Sequence, residues 1–270
     1  MTAAPDMSDL VRFAETLADA ARVETLSRFR TGAVADNKKT EGFDPVTAAD
    51  REAEAAIRRL IEAQFPEHGI FGEEFGVKEA RSPFRWVLDP VDGTRAFICG
   101  LPVWTTLIAL ERDEEPVIGL VDQPFTDERW IGSPEGAFHV HRGARTPIRT
   151  DTEARLATAR LHTTDPRPKP QGYLTEDEAA RFAKLGAKGR VTRFGLDAYG
   201  YAQIASGDID AVAEGGVQRY DVAAPIALIR AAGGVVTDWT GGDVFSGERI
   251  QIAASANEAL HAEVLEALGG

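Results

Sequence analysis

The stretch Trp86-Val87-Leu88-Asp89-Pro90-Val91-Asp92-Gly93-Thr94 constrains this chain more than any other. An apolar, strand-like run ends in two carboxylates separated by two residues, and Gly and Thr follow at once. Asp89 and Asp92 could hold a hard divalent cation through oxygen, as Mg²⁺ prefers. Pro90 removes one backbone donor and stiffens the exit from the strand. Gly93 lets the backbone approach a ligand closely. A helix starting near Thr94 would turn its free N–H groups toward an anion such as phosphate. Cation, phosphate and hydroxyl would then meet within one turn of chain. The plainer alternative is a strand closed by an Asx/Gly turn, since both residues are common there.

A chain of 270 residues buries a sizeable core, as one large domain or as two lobes. No apolar run is long enough to cross a bilayer. The segment 1–9 has neither a basic n-region nor an apolar h-region, so no secretory signal is expected. Cys99 is the only cysteine, which excludes an internal disulfide and a CxxC metal site and fits a reducing cytoplasm. A formal net charge of −13 argues against nucleic acid or an anionic membrane as a partner. Most of that acidity serves solubility, and metal ligands would account for part of it.

In chain order, Leu10, Phe13, Ala14, Leu17, Ala18 and Ala21 recur at helical spacing after Ser8, a plausible N-cap, and Gly32 ends the element. Residues 37–45 are polar and read as a loop. A second helix opens at Thr47, whose spacing to Asp50 is that of a capping box, and Phe65-Pro66 stops it. Ile70-Phe71-Gly72-Glu73-Glu74 is a short apolar run into paired acids, in a segment able to pair beside the Asp89 strand. Residues 105–111 and 116–122 form a hairpin pattern, with further strands at 130–132 and 136–141. His139 and His141 read as sheet residues rather than ligands. The polar stretch 142–153 marks a boundary between an α+β lobe, 1–150, and an α/β lobe, 151–270. In the second lobe, strands at 157–162, 190–194, 209–214, 235–239 and 250–254 are interspersed with helices at 175–185, 197–205, 221–232 and 256–268.

Glu73, Asp89 with Asp92, and Asp221 stand at element ends and could converge on two or three Mg²⁺ ions. Such ions bind a phosphate oxygen, activate water and stabilise a leaving oxygen. The Thr94 hydroxyl could orient that water, and Asp50 could accept a proton. No GxSxG elbow and no GxxxxGK[ST] loop is present, which disfavours a serine hydrolase and a P-loop enzyme. Two carboxylates alone would suit a glycosidase, but no sugar-stacking pattern accompanies them.

Gly72-Glu73-Glu74, Asp89-Pro90-Val91-Asp92-Gly93-Thr94 and Tyr220-Asp221-Val222-Ala223-Ala224, together with Pro45 to Asp50 and Ala232-Gly233-Gly234, resemble the inositol monophosphatase family of Mg²⁺-dependent, lithium-sensitive phosphatases. The resemblance implies an αβαβα layered sandwich and direct hydrolysis of a phosphate ester by water. It places Glu73, Asp89 and the Val91 carbonyl on a first Mg²⁺, and Asp89, Asp92 and Asp221 on a second. A weaker third ion would rest partly on Glu73. Thr94 with Asp50 would orient or activate the attacking water, with Glu73 in the same catalytic group. The Gly93 and Thr94 amides would hold phosphate, and Lys39, or Lys38, would be the family's loop lysine. The segment from Thr94 and Arg95 to Gly100, and the segment from Gly195 to Tyr201 with Glu214 and Tyr220-Asp221, are similar to the histidinol-phosphate phosphatase branch. Leu196 and Arg219 depart from its pattern. Arg95, Asp197, Glu214 and Asp221 would then face the substrate, with Glu214 pairing its ammonium and Asp197 adding a second acceptor. A small phosphate ester is the expected partner and a homodimer the expected assembly. The alternatives are inositol-1-phosphate or broad phosphomonoester hydrolysis, and a non-catalytic regulatory or binding protein of the same fold.

Overall fold

Residues 6–32, 36–37 and 45–269 are described by the computed structural model, with backbone alone at 36–37 and 45–46. Helix α1 (Met7–Leu26) buries Leu10, Ala14, Leu17, Ala18 and Ala21 of the predicted stripe, with Phe13 partly buried against the same core and Val11 buried beside it. Its cap is Asp6, whose side chain accepts the Ser8 N–H at 3.3 Å, so Ser8 lies in the first turn and is not the cap. Of the expected loop 37–45 only the ends are described, where β1 (Asp36–Asn37) pairs antiparallel with β2 (Pro45–Val46). Helix α2 (Ala48–Gln64) starts on a full capping box. The Thr47 hydroxyl accepts the Ala49 N–H at 3.1 Å, and Asp50 accepts the Thr47 N–H at 2.9 Å.

Eight strands follow: β3 (Gly69–Gly72), β4 (Gly76–Lys78), β5 (Phe84–Asp92), β6 (Thr105–Arg112), β7 (Glu115–Gln123), β8 (Glu128–Ser133), β9 (Gly136–His141) and β10 (Ala144–Ile148). Between β5 and β6 lies the short helix α3 (Thr94–Ile98). The sheet order is β10-β9-β8-β7-β6-β5-β3-β4, with the expected hairpin as β6 and β7. β10 falls inside the stretch expected to be a polar boundary. It is an edge strand with four exposed residues, so no apolar alternation marks it in the sequence.

A 3₁₀ turn at Leu156–Thr158 replaces the start of the expected strand 157–162, leaving β11 (Arg160–Thr163). The chain continues through α4 (Glu176–Gly186), β12 (Val191–Phe194), α5 (Asp197–Ser206), β13 (Ala211–Val217), α6 (Arg219–Ala231), β14 (Val235–Thr237), β15 (Ile250–Ser255) and α7 (Glu258–Leu268). These strands form a mixed sheet in the order β12-β11-β13-β15-β14. Helices α1 and α2 cover one face of the first sheet, α5 and α6 lie between the sheets, and α4 and α7 cover the far face of the second. The layers are therefore αβαβα, as expected.

Side-chain alternation on β5 links this stacking to the acidic residues. Trp86 and Leu88 point into the core beneath α1 and α2, whereas Val87 points into the core shared with the second sheet. Asp89 has the parity of Val87 and faces the same inner side. Asp92, three residues on, would face the opposite side of a regular strand. The pairing with β6 shifts here: Asp89 opposes Leu107 and Asp92 opposes Thr105, so β5 carries one extra residue. This bulge turns both carboxylates the same way, and Pro90, which cannot donate to the ladder, sits inside it. The Thr106 hydroxyl donates to the Pro90 carbonyl at 2.7 Å and holds the bulge.

β3 runs parallel to β5 with Gly72 opposite Leu88, so Glu73 emerges beside Asp89. Helix α6 brings Asp221 from the other direction. It lies so close to the first sheet that a β-carbon on Gly119 would meet the Ala224 carbonyl oxygen at 2.0 Å.

Candidate active site

Asp89, Asp92 and Asp221 each place one carboxylate oxygen within 4.8 Å of the others, and Asp50, Glu73 and Glu74 form a second such group. Oxygen-only donor sets of this kind suit Mg²⁺, Ca²⁺ or Mn²⁺ rather than zinc. Each acid is fixed from its own element. The Val91 N–H donates to Asp89 Oδ1 at 3.1 Å. Asp92 Oδ2 accepts the Ala198 N–H from the first turn of α5 at 2.7 Å. Asp221 Oδ2 accepts the Gln218 N–H at 2.6 Å, capping α6. Gly93 has φ +80°, a conformation glycine takes without strain, and it reverses the chain into α3. The Thr94 hydroxyl then donates to the Val91 carbonyl at 3.1 Å. Asp50 is fully buried; its Oδ2 takes both Thr47 donors, and its Oδ1 has no hydrogen-bond partner among the described residues.

Crowded acids in a shared enclosure resist ionisation. Burial, then the charges of Glu73, Asp92 and Asp221, push Asp89 well above the usual carboxylate range. Asp92 is raised well above it by burial and by Asp197 and Asp221. Burial chiefly lifts Asp221 to about 8 and Asp50 to about 6. A divalent cation would offset this excess negative charge, so the residues present fit a metal centre.

Glu73, Asp89, Asp92 and Asp221 line a cavity of about 330 Å³ together with Val91, Gly93, Thr94, Arg95, Asp197 and Glu214. Every expected site residue except Asp50 therefore lines one space, and Asp50 lies close enough for Glu73 to raise its pKa. Lys38 and Lys39 lie outside the described residues. Glu214 is a rigid buried acceptor, receiving the Thr164 N–H at 2.6 Å and the Tyr201 hydroxyl at 2.9 Å. Asp197 has φ +48° and presses Oδ2 to within 3.1 Å of where a β-carbon on Gly93 would lie. Its pKa is pushed up to about 7 by burial and by Glu214.

Further side chains of the cavity region carry no assigned role in the sequence reading. Asp165, Tyr173 and Tyr201 line the wall, and the Arg95 guanidinium stacks 4.7 Å over the Tyr173 ring and 3.8 Å from Asp165. His162 lies behind the wall, where Nε2 accepts the Leu196 N–H at 3.1 Å and steadies the turn that carries Asp197. Asp165 and Tyr173 sit in a Pro-containing loop with no motif to mark them.

The model of the inositol monophosphatase family matches residues 6–269. The chain is 38% identical over 243 residues to the bifunctional phosphatase IMPL2, chloroplastic, of Arabidopsis thaliana, a match spanning 84% of this chain and 66% of that protein. It is 35% identical to a histidinol-phosphatase of Streptomyces coelicolor across 97% of both. A solved structure of an inositol monophosphatase from Zymomonas mobilis superposes with a TM-score of 0.85 at 35% identity, over 99% of this chain and 100% of that one. With a family match over nearly its whole length and this layered fold, the chain belongs to the inositol monophosphatase family of phosphatases.

Proposed function

We propose that the chain hydrolyses a small phosphate monoester with Mg²⁺, and that L-histidinol phosphate is its substrate. The observation that carries this reading is one cavity lined both by the carboxylate cluster with Gly93 and Thr94 and by two further acids, Asp197 and Glu214. Two to three bound Mg²⁺ ions would supply charge neutralisation and Lewis acidity at the phosphate. Glu73, Asp89, the Val91 carbonyl, Asp92 and Asp221 would hold them. The Gly93 and Thr94 amides orient the phosphate oxygens. The Thr94 hydroxyl orients the attacking water, and Asp50, lifted to about 6, is poised near neutrality to take a proton. The ammonium of histidinol phosphate finds Glu214 and Asp197, and the 35%-identical Streptomyces relative carries the matching name. A homodimer and a cytoplasmic setting belong to the same reading; the single cysteine supports the latter.

Inositol 1-phosphate is the second reading. Glu214 already accepts a hydroxyl from Tyr201 and would suit an inositol hydroxyl, and the 35%-identical Zymomonas structure is an inositol monophosphatase. Phosphate release at millimolar Mg²⁺, with kcat/KM compared side by side for the two esters, tests the choice. Preference for histidinol phosphate supports the first reading, and preference for inositol 1-phosphate replaces it with the second. Absence of Mg²⁺-dependent release from either ester removes both.

Glu214→Gln keeps the side chain's shape and removes its charge. A charge-assisted hydrogen bond contributes roughly 1.5–3 kcal/mol, so KM for histidinol phosphate should rise about 10- to 100-fold. The KM for inositol 1-phosphate should change far less. Equal losses on both esters would exclude Glu214 as the ammonium partner.

A further inference from the structure

We propose that Glu54, with Arg58, is a positioning residue that fixes the Glu73–Glu74 turn against Asp89 and thereby sets the affinity of the carboxylate cluster for its divalent cation. The inference rests on the metal-dependent reading above and adds a residue to it.

Glu54 lies four positions after Asp50 on α2, on the same buried helix face. It is fully buried, which is costly for a carboxylate unless its oxygens are satisfied. Oε2 accepts the Glu74 N–H at 2.8 Å, and Oε1 accepts the Phe75 N–H at 3.2 Å and Arg58 Nε at 2.7 Å. Arg58 Nη2 donates onward to the Gly76 carbonyl. The turn after β3 is thus tied down at Glu74, Phe75 and Gly76 from α2. On its other side the Glu73 N–H donates to the Leu88 carbonyl at 3.2 Å, one residue before Asp89. Glu73 is clamped between these two anchors.

Gly72 shows how close the fit is. A β-carbon there would lie 1.9 Å from Glu54 Oε1, so the glycine makes room for the carboxylate beneath the turn. Helix α2 therefore delivers two acids to the same region. Asp50 faces Glu73 directly, and Glu54 acts one turn deeper through backbone N–H groups. Residues that orient metal ligands without touching the metal commonly change affinity by about 10- to 100-fold when altered.

Glu54→Gln is the informative variant. Three donors converge on the Glu54 carboxylate, and an amide supplies one acceptor oxygen plus an NH₂ that faces a donor. The turn must shift, while the cluster carboxylates themselves are untouched. Calorimetric titration with Mn²⁺ alone should show about tenfold weaker binding, and the Mg²⁺ half-saturation for phosphate release from histidinol phosphate should rise about tenfold. At saturating Mg²⁺, kcat should stay within about twofold of wild type. Arg58→Met, at a partly exposed position, keeps the Glu54 hydrogen bonds to Glu74 and Phe75 but removes both the counter-charge and the donor to the Gly76 carbonyl. It should shift Mn²⁺ affinity in the same direction by about threefold, and it carries the test if Glu54→Gln does not fold. Wild-type Mn²⁺ affinity in the folded variants, even with lowered melting temperatures, would make Glu54 structural glue only and overturn the inference. Wild-type phosphate release that needs no divalent cation would instead overturn the metal-dependent reading itself.

Discussion

Asp92→Asn should lower kcat/KM by at least about a hundredfold while leaving the protein folded. Asp92 lines the cavity within reach of the charges of both Asp221 and Asp197. Its Oδ2 accepts the Ala198 N–H at 2.7 Å and the Thr105 hydroxyl at 3.4 Å, while its charge faces Asp89 and Asp221 in the cluster. An asparagine can turn its carbonyl oxygen to Ala198 and Thr105 and keep both hydrogen bonds. It cannot supply the negative charge, and it aims an NH₂ group at the space a cation would occupy. The stability effect should have the opposite sign from the activity effect. Without metal, Asp92 is held above its ordinary pKa by burial and by Asp197 and Asp221. Removing its charge relieves that strain, so in chelator at pH 8 the variant should melt no lower than wild type. Turnover near wild type at saturating Mg²⁺ would remove Asp92 from the metal site. A melting temperature well below wild type in chelator would show that the hydrogen bond to α5 depends on the carboxylate itself.

The residues that could be read from the chain are those marked by a local signal. Asp89 and Asp92 end an apolar run and precede Gly93. Glu73 follows a short strand, and Asp221 opens a helix, so each acid sits at an element end that periodicity exposes. The capping box at Thr47 and Asp50 was equally local, and it forms. Glu54, His162, Asp165 and Tyr173 were not legible, because their roles arise only when distant segments meet. Glu54 looks like one more charge on an amphipathic helix until β3 packs against it 20 residues later. His162 is an ordinary strand residue until the α5 turn closes over it. The β5 bulge belongs to the same class: Pro90 hints at a disturbed strand, but only pairing with β6 shows that the disturbance aligns two acids. In the fold, the long helices and the central hairpin carried clear periodicity. The exposed edge strand Ala144–Ile148 did not, since solvent on its surface removes the apolar alternation.

The thermal stability gained from Mg²⁺ should grow with pH, from little near pH 5 to at least about 4 °C in Tm at pH 8. In chelator, a carboxyl whose folded pKa lies above its unfolded value stabilises the fold only while protonated. That contribution is complete below about pH 4. It is lost as pH rises through about 6 for Asp50, about 7 for Asp197 and about 8 for Asp221, and Asp89 and Asp92 are likewise held well above the usual carboxylate range by burial and their acidic neighbours. Metal-free protein is therefore penalised progressively across this range. A bound cation reverses the preference, because it favours the ionised carboxylates and releases their protons. At pH 5 most of those protons must be displaced before the cation binds, and the stability gain is small. At pH 8 the acids are already strained toward ionisation, and the cation relieves repulsion directly. Buried histidines act in the other direction. Burial holds His68 down to about 4 and His162 to about 3, so they stabilise the fold at neutral pH and lose that contribution as pH falls below about 6.5. Because they titrate alike with and without Mg²⁺, the difference between melts in EDTA and in millimolar Mg²⁺ isolates the acid cluster. A gain as large at pH 5 as at pH 8 would mean that the cation binds elsewhere. No gain at pH 8 would mean that the cluster holds none, and that its carboxylates meet their repulsion by sharing protons alone.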